Sequence, residues 1–77
     1  MAAQLKRSKV ALRLGSRIMK YRELRGLTPT QLAVRVGVHG RVAISRYERG
    51  DRVMSVDTLI AIARALGVPA AALLDGV

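Results

Sequence analysis

Thr28 to Gly50 reads TPTQLAVRVGVHGRVAISRYERG, and the punctuation of this stretch decides the fold. Thr28 stands where a helix needs a side-chain oxygen for its unpaired amides. Pro29 suits the first helical position, and Gln31 closes a capping box back onto Thr28. Leu32, Ala33 and Val36 give that helix an inward side, and Gly37 ends it after only about eight residues, because a left-handed cap favours glycine. A second short helix is predicted over Arg41–Arg49, with Ile44 and Tyr47 inward and Gly50 as its stop. Two short helices joined by a tight, glycine-containing turn are therefore written into the middle of the chain.

The flanks supply what such a pair needs to fold. From Val10 to Arg25, apolar residues at Val10, Leu14, Ile18 and Tyr21 recur in steps of three or four, the period of one helical stripe, and Gly26 follows as a cap. Asp51 to Met54 reads as a loop. Ser55 then caps a helix over Val56–Leu66, with Leu59, Ile62, Ala63 and Leu66 inward and Gly67 closing it. Val68-Pro69 opens a last short turn that carries Leu73 and Leu74. Met19 and Met54 read as fillers of the core or its edge. Residues 1–9 are polar and basic without periodicity and form an N-terminal arm, and residues 10–77 form one domain. No alternating strand pattern or internal repeat appears, so the fold class is all-α, a five-helix bundle.

Composition narrows the chemistry. With 77 residues the core is thin, and with no cysteine neither disulfides nor thiolate metal sites reinforce it. One histidine and five acidic residues leave almost no material for acid–base or metal-assisted catalysis. No enzyme activity, cofactor or metal is expected. Aromatic residues make up 3% of the chain, all tyrosine, so the core is aliphatic. No apolar run approaches the roughly 20 residues of a membrane span, and Arg13 and Arg17 interrupt any signal-peptide core. The net charge is +9, with eight basic residues and one acidic in residues 1–25. That asymmetry points to a polyanion, with nucleic acid ahead of an anionic membrane surface or a merely solvated basic face.

Two short helices about a sharp turn form a helix-turn-helix, in which the first crosses the phosphate backbone and the second lies in the major groove. Ala33 is small where the helices cross. With Ile44 and Tyr47 pinned inward, Arg41, Val42, Ser45 and Arg46 face outward as candidate base readers. Arginine and serine reach base edges, whereas a purely solvating face more often mixes Glu with Lys. Thr28, Thr30, Gln31 and Arg49 are candidates for fixing the register on phosphates. His39, alone in the turn, reads as a solvated or capping residue. RNA is disfavoured, because Tyr21 and Tyr47 make no stacking platform.

On these residues the chain resembles the Cro/C1-type (XRE) helix-turn-helix regulators. The resemblance runs over residues 14 to 74 and rests on RELRGLTPTQLA, ISRYERG and the ALGVP ending in their order. It implies a five-helix bundle and a DNA-binding regulator of transcription, repression being the more usual outcome. It implies that Arg22 and Glu48 form a structural ion pair between the first and third helices. It also implies that Gly40, Arg49 and Arg52 touch backbone phosphates. The interval from Ala33 to Ile44 is one residue longer than the family's usual spacing. The extra residue falls within His39-Gly40-Arg41-Val42-Ala43, which moves the start of the reading helix by one position. A lengthened turn followed by YERGDR is similar to the actinobacterial developmental repressors of the family.

The expected function is sequence-specific recognition of a palindromic double-stranded operator by a homodimer on DNA. The expected setting is the cytoplasm, at the nucleoid, of a bacterium or a phage-infected cell. The apolar stretch Ala70–Leu74 offers surface for dimerisation, and no separate effector domain is expected. Two other classes fit the same composition. One is an antitoxin-type protein that neutralises a partner toxin, and the other is a non-specific nucleoid-type DNA binder.

Overall fold

Ser8 opens the fold: its hydroxyl oxygen accepts the Ala11 amide at 2.9 Å and starts α1, Lys9–Leu24. The computed structural model describes residues 8–38 and 40–76. Lys9, assigned by sequence to the arm, is thus the first residue of α1, because a serine cap one residue upstream satisfies the first turn. Residues 1–7 of the arm, with Lys6 and Arg7, and also His39 and Val77 lie outside the described residues. After α1 come α2 (Pro29–Val36), α3 (Gly40–Glu48), α4 (Val56–Leu66) and α5 (Ala70–Leu74). Every described residue outside them is in a turn, bend or irregular segment, so the described chain is all helical.

Ile18, Leu32, Ile44, Ile62, Leu66 and Leu73 are completely enclosed, and each helix contributes to this centre. Burial of each such side chain stabilises the fold by roughly 1.5–3 kcal/mol. Around them pack Leu14, Leu27, Ala33, Tyr47, Leu59 and Ala63. Ala33, only 1% exposed, lies where α2 meets α3, and a larger side chain there would push the two apart.

Three side chains depart from the sequence reading. Val10, placed on the inward stripe of α1, is exposed, since the buried strip runs through Leu14, Gly15, Ile18 and Arg22. Val10 lies one turn beyond that strip, on a shallow apolar groove with Leu14, Tyr47, Val53 and Met54. Met19 is exposed, while Met54 does pack against the core. In α5, Leu73 is consumed by the core and Leu74 is left partly in solvent, so the dimerisation surface expected from Ala70–Leu74 is smaller than its sequence suggests.

The C-terminal ends of α4 and α5 are closed by side chains from α1 and from Arg25, the residue just after it. Arg25 Nε donates to Leu66 O at 2.8 Å, Arg17 Nη1 to Ala72 O at 3.4 Å and Arg13 Nη1 to Gly76 O at 3.2 Å. These carbonyls belong to the C-terminal turns of α4 and α5 and the residues just after, where the helix dipole favours cations. Part of the positive charge counted in residues 1–25 is therefore spent inside the fold, on a side determined by α4 and α5.

Candidate nucleic-acid interface

The local chemistry of α2 fixes its start to within one residue. Gln31 N donates to Thr28 Oγ1 at 3.1 Å, and Thr28 N donates to Gln31 Oε1 at 2.8 Å, the reciprocal capping box. Both side chains use an acceptor for this, which leaves the Thr28 hydroxyl proton and the Gln31 amide protons as donors on an exposed surface. Thr30 is exposed beside them. At the other end Gly37 adopts φ +86°, the left-handed conformation that turns the chain towards α3.

α3 runs Gly40–Glu48, one residue earlier than the predicted Arg41–Arg49. Gly40 enters it at φ +70°, and Arg49 becomes the residue between the helix and Gly50. Ile44, Tyr47 and Glu48 face the core. Successive residues turn by about 100°, so Val42, Ser45, Arg46 and Arg49 stand at i, i+3, i+4 and i+7 on the opposite side. Val42, Arg46 and Arg49 are exposed and Ser45 is half-buried. Arg41 is also exposed, but it shares the flank of Glu48, seven residues on, rather than this row.

The C-terminal end of α3 is closed by two backbone bonds, Gly50 N to Tyr47 O at 3.1 Å and Asp51 N to Arg46 O at 2.9 Å. This is the Schellman arrangement, with Gly50 left-handed at φ +73°. A Cβ on Gly50 would lie 3.1 Å from Leu12 Cα, so α1 closes over the turn as well. Asp51 then reaches back, accepting Arg49 Nε at 3.1 Å. The next residue, Arg52, lies over the Tyr47 ring, 5.7 Å from its centroid.

Beneath the row, Arg22 of α1 holds Glu48 of α3. Arg22 Nε donates to Glu48 Oε2 at 2.6 Å and Nη2 to Oε1 at 3.1 Å, a two-pronged pairing, while Nη1 donates to Leu27 O at 2.8 Å. Both residues are buried. The hydrogen bond to Glu48 raises the Arg22 pKa above its ordinary value, against the opposing pull of desolvation. Gly15, two turns earlier on the same face of α1, lets α1 touch α3 backbone to backbone. A Cβ there would collide with Tyr47 O and would lie 2.6 Å from Glu48 O.

Structure therefore brings together Val42, Ser45, Arg46 and Arg49, sets Arg41 and Arg52 to the sides, and leaves Thr28, Thr30 and Gln31 exposed at the start of α2. Sequence reasoning missed Gly15, Asp51 and the capping arginines. Gly15 carried a usable signal, a glycine interrupting a helical stripe. The partners of Arg13, Arg17 and Arg25 lie 63, 55 and 41 residues away, beyond any local pattern.

Comparison with known proteins agrees with this geometry. Residues 18–73 match the helix-turn-helix family HTH_3. No curated protein sequence matches the chain. Among solved structures, the restriction-modification controller protein C.AhdI from Aeromonas hydrophila is similar at 28% identity and a TM-score of 0.79, over 82% of this chain and 94% of that one. The P22 c2 repressor, solved with synthetic operator 9T, is 33% identical at a TM-score of 0.75, over 83% and 96%. The DNA-binding domain of BldD is 32% identical at 0.78, over 87% and 96%. The chain belongs to the Cro/C1-type helix-turn-helix family. Members of this family are DNA-binding transcription regulators rather than enzymes, and so is this chain.

Proposed function

We propose that this regulator is a repressor that binds a palindromic operator as a homodimer, with α3 of each copy in the major groove. The observation that carries the reading is the outward row of α3. An apolar side chain, a hydroxyl and two guanidinium groups share one face, while Ile44 and Tyr47 anchor the other. Val42 offers apolar contact to a thymine methyl, Ser45 hydrogen-bonds to a base edge, and Arg46 pairs with the O6 and N7 of a guanine. Arg41, near the start of the helix, reads a base at the edge of the half-site. Phosphates are met by the free donors of Thr28, Thr30 and Gln31, by the Gly40 amide, and by Arg49 and Arg52.

A homodimer follows from the size of the reading surface. One short helix contacts few bases, and two copies on half-sites one DNA turn apart double the sequence read. Selection of bound duplexes from random DNA tests the whole reading. Enrichment of an inverted repeat with half-sites about 10–10.5 bp apart is expected. Recovery of no preferred sequence would leave non-specific binding as the function.

A further inference from the structure

Within YERGDR, the aspartate lies next to the reading row, where an acidic group works against phosphate binding, and nothing in the base-reading scheme uses it. We infer that Asp51 is a specificity-determining residue that acts through Arg49, holding its guanidinium in one orientation so that it meets one phosphate only. The inference rests on the reading of α3 as the helix in the groove.

The geometry has three parts. First, Asp51 is fixed by the backbone: its amide closes the Schellman turn on Arg46 O, and Gly50 before it is left-handed and pressed against Leu12. The carboxylate is therefore carried by a rigid corner rather than by a swinging loop. Second, of the donors of Arg49 it is Nε that meets the carboxylate, at 3.1 Å from Oδ2. A guanidinium has a further edge of Nη donors, and that edge remains for a phosphate. Third, the two side chains differ in depth. The Asp51 side chain is 29% exposed and that of Arg49 is 60% exposed, so the carboxylate sits below and the guanidinium projects outward.

An arginine held this way has less rotamer freedom to lose when DNA arrives. On the operator, where the backbone docks at a set distance from Val42, Ser45 and Arg46, the fixed guanidinium meets its phosphate with a smaller ordering cost. On unrelated DNA the docking is looser, and a tethered arginine cannot search for a phosphate. The charge of Asp51 meanwhile repels those it does not face. Both effects widen the gap between specific and non-specific binding.

The test is a double-mutant cycle with Asp51→Ala, Arg49→Ala and the double variant. Affinity is measured by competition for a duplex recovered by selection and for a random-sequence 30-bp duplex, with thermal unfolding of each protein alongside. Asp51→Ala is expected to lower the selected-to-random affinity ratio roughly two- to fivefold, the scale of an exposed charge pair. In the Arg49→Ala background the same substitution should leave the ratio unchanged. Equal tightening on both duplexes would show simple charge repulsion and overturn the inference. An equal loss on both, tracking a fall in Tm, would show a purely structural role and overturn it too. If Arg46→Ala also keeps the parent ratio, the placement of α3 itself has failed. If Arg46→Ala lowers the ratio and Asp51→Ala does not, only the role of Asp51 falls.

Discussion

Arg22 and Glu48 make two hydrogen bonds between side chains that are almost wholly enclosed, and each is the other's means of being buried in ionised form. Arg22→Ala leaves the carboxylate of Glu48 buried without its cation, a loss of about 3–5 kcal/mol for pairs of this kind. For a domain this small, where total stability is of order 5–10 kcal/mol, a fall in Tm of more than 10 °C is expected in thermal unfolding. A Tm unchanged from the parent would refute it. The pH behaviour follows from the direction of the Arg22 shift. Its pKa is raised in the folded state, so its stabilisation is complete below the unfolded value and is lost only as pH climbs through the folded one. Both lie far above neutrality, so Arg22 imposes no stability change across the neutral range. Arg46 and Arg49 separate along another line, since neither has a buried partner to lose. Arg46→Ala should cost about 1–3 kcal/mol of discrimination at one base position per half-site. Arg49→Ala should instead lower affinity on all duplexes and reduce the salt slope by about 0.9, with no change of preference at any one base and no more loss of selected-to-random ratio than Asp51→Ala gives. Competition binding of the two variants over a salt series measures both, and identical behaviour of the two would sink the division between reader and phosphate contact.

Where α1 crosses α3, the two helices are in backbone contact, and that closeness is what sets how far α3 stands out from the bundle. Gly15→Ala puts a methyl group against Tyr47 O and Glu48 O, both main-chain atoms that cannot rotate away. The gain in helix propensity, about 1 kcal/mol, opposes an overpacking cost of about 1–3 kcal/mol. Net destabilisation is expected in chemical unfolding, together with weaker binding to a selected duplex as α3 is displaced. A variant as stable as the parent would show that the crossing relaxes freely. Helices of this kind were legible in the sequence wherever their ends carry chemistry. Thr28 and Gln31, Gly37, Ser55 and Gly67 mark boundaries with residue types that few other positions require, and the structure uses each of them at its helix end. The boundaries of α1 and α3 moved by one residue, even where Gly26 and Gly50 mark the stop, because a residue stands between the last helical position and the glycine. Ser8 caps α1 from among basic residues that carry no helix signal, and Arg49 is compatible with either side of the end of α3. The exposed row of the candidate site was legible too, since Ile44 and Tyr47 define its back. Its supports were not, because Gly15 against Tyr47 and Arg25 against Leu66 are contacts between segments far apart in the chain.

Among the described residues, two groups of arginines do different work. Arg25 and Arg17 donate to carbonyls at the ends of α4 and α5, whereas Arg46, Arg49 and Arg52 cluster at the end of α3. Arg25→Ala should lower stability by about 0.5–1.5 kcal/mol and leave the salt slope of DNA binding nearly as it was. A slope reduced as much as by Arg49→Ala would place Arg25 on DNA and merge the two populations. Assembly is governed by what the bundle leaves uncovered. Leu73 is spent in the core, and exposed apolar side chains remain at Val53, Val56, Ile60 and Leu74, among others. Stable dimers bury at least about 1,200 Å² in total, about 600 Å² on each copy, and with Leu73 in the core the apolar part of α5 open to a partner is chiefly Leu74. The copies are therefore expected to be monomeric at micromolar concentration and to pair on DNA, where two adjacent half-sites raise the effective concentration of each for the other. Pairing of this kind depends on the helical phase of the sites. Inserting five base pairs between half-sites turns one to the opposite side of the duplex, about half of a 10–10.5 bp turn, and separates the two proteins. Footprinting and sedimentation on the selected duplex and on its lengthened form provide the measurement. Two bound chains with cooperative affinity are expected on the first, and two independent, weaker events on the second. Equal affinity on both, or a single chain covering one unrepeated site, would remove the dimer from the mechanism.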